Sequence, residues 1–125
     1  MSILIGMTAF FSCTYQKGDL PTVGCSLPNT VSFSQDLLPI FNTQCSLSGC
    51  HTASAHAGSL NLEATAAYSQ LLASGHGYVD TLNPDFSILY NRLSATSNPM
   101  PASGRLDDCK IQLILKWIQQ KAKNN

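Results

Sequence analysis

The chain has 125 residues, no formal net charge and only 11% charged residues beside 44% hydrophobic ones. That length suits one domain with a modest core. A neutral chain with so few charges lacks the basic excess that a phosphate-binding surface needs, so nucleic-acid binding has no electrostatic support.

Met1 to Phe11 is apolar apart from Ser2, Gly6 and Thr8. A bilayer span needs about 20 apolar residues, so this run reads instead as the hydrophobic part of an export signal. It ends in Phe10-Phe11-Ser12-Cys13, which resembles a bacterial lipobox. Residues 1–13 are therefore expected to be a lipoprotein-type signal with Cys13 as the lipidated residue. The protein would be exported and held by lipid at a membrane, in the bacterial periplasm or at the cell surface. No Lys or Arg precedes the run, as a signal's first segment requires. A start upstream of Met1, or a hydrophobic first element of the domain, stays open.

Residues 14–30 carry Gly18, Pro21, Gly24 and Pro28 without apolar periodicity, the composition of a linker or strap. The domain is expected over residues 31–125. Ser32-Phe33-Ser34-Gln35 has the pattern of a capping box. Leu37, Leu38, Ile40 and Phe41 follow at helical spacing, with Pro39 set to kink the helix or divide it into two short turns. This helix runs into Cys45. His51 to Gly58 reads as a turn, and Glu63 to Leu72 as a short helix ended by Gly75-His76-Gly77. Tyr78 to Leu82 is extended. Asn83-Pro84-Asp85 opens a helix whose apolar face is Phe86, Leu89, Tyr90 and Leu93. Ser97 to Gly104 is an irregular loop. The last helix spans about Leu106 to Lys121. Its acidic start is Asp107 and Asp108, its basic end is Lys121 and Lys123, and Leu106, Cys109, Leu113 and Trp117 form a stripe flanked by Ile114 and Ile118. No strand pattern occurs, so the fold class is all-α, with about four short helices.

The chemistry centres on Cys45-Ser46-Leu47-Ser48-Gly49-Cys50-His51. Two thiols followed at once by an imidazole is the order needed for covalent attachment of haem c: each thiol joins one vinyl group and the histidine is the proximal iron ligand. The usual spacer has two residues and this one has four, so it must bulge, most readily at Gly49. A low-spin carrier needs a second axial ligand. Met100 is the one methionine beyond the N-terminal run, held between Pro99 and Pro101. His56 and His76 are rival sixth ligands. Zinc held by Cys45, Cys50, His51 and His56 is a further metal reading, and a plain Cys45–Cys50 disulfide is a metal-free one. Of five cysteines, assigning Cys13 to lipid and Cys45 with Cys50 to haem leaves Cys25 and Cys109. They are enough for one disulfide in an oxidising compartment, or else are two buried free thiols.

Val31 to Gln120 resembles the small mono-haem cytochrome c domains called planctomycete-type, relatives of class I cytochrome c. The matching stretches are Leu38-Pro39-Ile40-Phe41, Cys50-His51, Gly58-Ser59-Leu60-Asn61-Leu62, Asn83 to Leu93, Asn98-Pro99-Met100-Pro101 and Ile114-Leu115-Lys116-Trp117-Ile118. The resemblance implies a class I cytochrome c-like bundle around one covalent haem c. It also implies thioethers at Cys45 and Cys50, His51 as proximal and Met100 as distal ligand, and crossing first and last helices that bury Trp117 near the haem edge. Arg92 and Arg105 are candidates to pair with the haem propionates. The expected function is electron transfer between redox protein partners at a membrane surface, with iron cycling between Fe(III) and Fe(II). No acid–base or nucleophilic constellation argues for an enzyme, unless Met100 leaves the sixth position open. The alternative is a haem-bearing subunit of a larger redox complex or cytochrome polymer. Lys110, Lys116, Lys121 and Lys123 form either a docking patch or a solvated helix face.

Overall fold

The computed structural model describes residues 24–125. The apolar run, Cys13 and residues 14–23 of the strap lie outside them. Among the described residues the regular structure is helical and no strand occurs. Four α-helices follow in order: α1 (Leu38–Gln44), α2 (Ala67–Leu71), α3 (Ile88–Ser94) and α4 (Asp108–Gln119). Short turns of other pitch precede α1, α2 and α3. Among the described residues no helix is long and apolar enough to cross a membrane.

A wide π-type turn, Phe33–Leu37, leads into α1. The Leu38 N–H reaches back five residues to the Phe33 carbonyl. Pro39 follows in the first turn of α1, where a missing N–H costs little. The break foreseen at Pro39 thus appears as a change of pitch just before it. The capping box differs from its sequence reading. Ser32 Oγ accepts from the Gln35 N–H at 3.2 Å, but the return bond comes from Asp36, whose Oδ2 accepts from the Ser32 N–H at 2.7 Å. Being one residue further along, Asp36 meets the wide turn where Gln35 would meet an ordinary one.

α2 is shorter than the helix expected over 63–72. Asn61 Oδ1 accepts from the Glu63 N–H at 2.9 Å and holds residues 63–66 as a turn. The element expected after Asn83 is split. Pro84–Phe86 forms one tight turn, Ser87 breaks it at φ −58, ψ 126, and α3 starts at Ile88. Ser87 is fully buried, and its Oγ accepts from the Asp80 N–H at 2.8 Å. Drawing Ser87 inward turns its neighbour outward, so Phe86, expected on the core face, is 72% exposed.

α4 is capped by Asp107, whose Oδ1 accepts from the Lys110 N–H at 3.0 Å. Its buried stripe is Ile111, Ile114, Trp117 and Ile118, while Cys109 and Leu113 sit at the flank. α4 packs against α3 and against the Phe33–Leu37 turn. Phe33 is the hub of that contact, with ring centroids 5.2 Å from Trp117, 5.2 Å from Tyr68 and 6.1 Å from Phe41. The segment from Cys25 to Phe33 runs along α4. Cys25 and Cys109 lie at disulfide distance with Cα atoms 5.4 Å apart, inside the usual span for a bridge. At the far end, Gln120 Nε2 donates to the Asn29 carbonyl at 2.6 Å and its Oε1 accepts from the Val31 N–H at 2.9 Å.

Candidate functional site

The site begins where α1 ends. Cys45 caps that helix, its N–H bonding the Phe41 carbonyl at 2.9 Å, and the next residues double back. The Cys50 N–H bonds the Leu47 carbonyl at 2.9 Å across a tight turn, with Gly49 at φ 80. That left-handed value is open to glycine and costs other residues. The His51 N–H then reaches the Cys45 carbonyl at 3.2 Å. The spacer therefore folds into one closed loop, and its two extra residues do not separate Cys45 from His51.

Cys45 and Cys50 are both free thiols and half-buried. Burial pushes the Cys45 thiol up to about 11, and the neighbouring Cys50 adds to the shift. Cys45 is therefore a neutral S–H at physiological pH. His51 Nδ1 lies 3.3 Å from the Leu60 carbonyl. A carbonyl only accepts, so Nδ1 carries the proton and Nε2 of the neutral ring keeps its lone pair for a metal. A carbonyl behind the ring is also the usual support for an imidazole that ligates.

Leu60 is presented by a strained turn. His56, Gly58 and Ser59 all have positive φ, at 44, 63 and 60. The turn is tied down on both sides. The Ala57 N–H bonds the Cys50 carbonyl at 3.2 Å, and Tyr78 Oη donates to the Gly58 carbonyl at 2.7 Å. The Met100 N–H bonds the Arg92 carbonyl at 2.9 Å, which fixes the proline-flanked loop on α3. The Met100–Pro101 bond is cis.

These elements surround one cavity of about 560 Å³, within the range of small-molecule and cofactor sites. Cys45, Cys50, His51, Met100 and Arg92 all line it, between walls that include Leu60, Leu62, Leu89 and Leu93. Two thiols, an imidazole with a free Nε2 and a thioether line one apolar cleft with a guanidinium, side chains of the kinds that could hold a haem c. The residues present fit the group.

Four expected participants sit elsewhere. Trp117, expected near the cofactor edge, does not line the cavity. It is fully buried against Phe33, and its Nε1 donates to the Lys123 carbonyl at 2.9 Å. Its ring packs instead on Phe33 and Tyr68, away from the cavity, which is the reason for its displacement. Arg105 pairs with Asp108 at 2.6 Å at the start of α4. His56 and His76 are exposed and line no part of the cavity. His76 instead stacks on Tyr78 at 5.1 Å. Among the described residues no three His, Cys, Asp or Glu side chains come together as metal ligands, so Cys45, Cys50, His51 and His56 do not form a zinc cluster. Lys110 pairs with Asp107 at 2.8 Å and Lys121 Nζ donates to the Thr81 carbonyl at 2.9 Å, which occupies two of the four lysines read as either a docking patch or a solvated helix face.

Sequence reasoning missed Tyr78 and the Leu60 carbonyl. The carbonyl has no side-chain signature. Tyr78 acts across twenty residues on a backbone oxygen, a relation that no local spacing encodes. Comparison with known proteins returns nothing: no family model, curated protein or solved structure matches this chain.

Proposed function

We propose that the protein is a mono-haem c-type cytochrome that carries single electrons. The observation behind this reading is the convergence of Cys45, Cys50, His51, Met100 and Arg92 on one apolar cavity. When bound, the haem supplies the one-electron Fe(III)/Fe(II) couple. The chain's residues do the rest. Cys45 and Cys50 would hold the group through thioethers, each S–H adding across one vinyl double bond with sulfur to one carbon and hydrogen to the other, which would need no oxidant. His51 would offer Nε2 to the iron, with its Nδ1 proton held by the Leu60 carbonyl. Met100 offers a soft thioether, and Met/His ligation raises the reduction potential. Held by both His51 and Met100, the group would suit electron transfer rather than bond-making chemistry. Arg92, the one charged residue among the described residues of the cavity wall, would balance a haem propionate. Lipid on Cys13 would hold the carrier at a membrane surface, facing redox protein partners.

A second reading, a haem-bearing subunit of a larger assembly or polymer, draws on exposed apolar side chains. Leu82 is 83% and Phe86 72% exposed, and the partly exposed Leu47 and Ile88 stand at the cavity itself. A native mass well above a monomer would favour it.

Intact mass of the exported protein tests the proposal. One haem and a diacylglyceryl-type addition are expected. A protein without haem would overturn it. In the loaded ferric protein, Met100→Ala should abolish the weak long-wavelength band of sulfur–iron ligation and give a high-spin spectrum.

A further inference from the structure

Tyr78 belongs to none of the ligand roles above, yet it touches both halves of the site. Its Oη holds the Gly58 carbonyl at 2.7 Å, in the middle of the turn whose Leu60 carbonyl receives His51 Nδ1. Three residues of that turn have left-handed φ, two of them not glycine. Such a backbone persists only where its surroundings over-determine it. The turn's own closures, Ser59 N–H to His56 at 2.8 Å and Leu60 N–H to Ala57 at 3.3 Å, are local. The bond from Tyr78 arrives from a side chain twenty residues further along the chain, which also lines the cavity.

The backbone of the same residue faces the other way. The Tyr78 carbonyl accepts from the Leu89 N–H at 3.0 Å, and the Gly77 carbonyl from the Ile88 N–H at 3.0 Å. These two bonds dock the segment on the first turn of α3. The same helix ends near Arg92, whose carbonyl anchors Met100. A path of hydrogen bonds joined by short stretches of chain therefore runs from His51 through Leu60 and Gly58 to Tyr78, then through α3 to Met100. His76 covers the outer face of the Tyr78 ring with its planes only 6° from parallel, which limits the ring's freedom to swing out.

We propose that Tyr78 is a positioning residue that sets the orientation of His51 and couples it to the Met100 loop; this rests on the haem reading given above. A stronger hydrogen bond from Nδ1 makes an imidazole a better donor and favours the oxidised metal. Releasing the turn weakens that bond, so the reduction potential rises.

Tyr78→Phe removes the one oxygen and keeps the ring. Tyr68→Phe is its control, because Tyr68 also donates a phenol hydrogen bond, to the Ala122 carbonyl at 3.0 Å, away from the cavity. The full chain and both variants are purified as exported, and amide exchange is followed over residues 57–62 beside the reduction potential. Tyr78→Phe is expected to speed exchange of the Ser59 and Leu60 amides on the order of tenfold, the scale of one lost hydrogen bond, and to raise the potential. Tyr68→Phe should do neither. Unchanged exchange and potential in Tyr78→Phe, or equal shifts in both variants, would overturn the assignment. Absence of haem is seen independently in the intact mass and sinks the cofactor reading, whereas the exchange result still decides whether Tyr78 clasps the turn.

Discussion

Cys45 sits where a helix end, a closed loop and an apolar cavity meet, and burial there pushes its thiol up to about 11. Between about pH 9 and 11 the unfolded chain has lost this proton and the folded chain still holds it. The unfolded state then binds fewer protons, so stability falls as pH rises through that window and is flat below it. The loss should reach about 2 kcal/mol, allowing for the partial exposure of the sulfur. A thioether does not titrate. Denaturant midpoints between pH 8 and 11 should therefore fall for Cys45 as a free thiol and lack this fall when it carries haem, which makes the pH profile a test of attachment. Ser87 is the second residue whose single atom decides much. Its buried Oγ satisfies the Asp80 N–H, and Asp80 Oδ1 in turn accepts from the Leu82 and Asn83 N–H groups. Those two bonds, Asn83 first, hold the Asp80 carboxyl below its ordinary value. Ser87→Ala leaves the Asp80 N–H without its partner and should cost about 1–3 kcal/mol in chemical denaturation.

At the scale of elements, α4 shows how much the chain spells out and where it stops. Its start, expected at about Leu106 from the acidic pair Asp107 and Asp108, falls at Asp108, and Asp107 proves to be the cap. Asp107→Ala should cost about 1 kcal/mol of unfolding free energy. Its end, expected at about Lys121, falls at Gln119, but the way it closes was not legible. The Lys121 N–H bonds Ile118 at 3.0 Å and the Ala122 N–H bonds Trp117 at 3.0 Å, the paired closure that normally uses glycine. Lys121 fills that place at φ 72, although nothing in a lysine announces a left-handed turn. Lys121→Gly should therefore raise stability by about 1 kcal/mol by relieving the strained backbone. A lower melting temperature would instead mean that the exposed bond from Lys121 Nζ to Thr81 carries more than its setting implies. Phe86 marks the opposite failure. Its spacing with Leu89 and Leu93 was a true helical period, but the period assumed one continuous helix, and a buried serine interrupts it. The ligand candidates were easier to find, since Cys45, Cys50, His51 and Met100 are each distinctive residue types. Trp117 went astray because an aromatic on an apolar stripe says that it is buried and not against what.

For the whole molecule, the strap and α4 hold the two ends of the domain together. α4 rises about 16 Å from Cys109 to Gln120 at 1.5 Å per residue. The chain from Cys25 to Val31 covers about 20 Å when extended. It therefore reaches from the Cys109 end, where the two sulfurs meet, to the Gln120 end with little slack. Beyond it, Asn125 Oδ1 accepts from the Phe33 N–H at 3.0 Å and the Asn125 carbonyl from the Ser34 N–H at 2.9 Å, so the same helix end also caps the turn that leads to α1 and Cys45. Cys25 and Cys109 stand 84 residues apart in sequence, and a bridge over so long a loop restricts the unfolded chain strongly. Replacing both with serine should lower stability by about 2–4 kcal/mol. The strap would still be held at Gln120 and at Asn125, so the loss should be local in the folded state. Amide exchange should rise over residues 24–28, while the amides around Phe33 and the Cys45–His51 loop stay protected. If protection is lost at Cys45–His51 as well, the strap supports the site directly and the two hydrogen-bonded anchors are too weak to hold α1 in place.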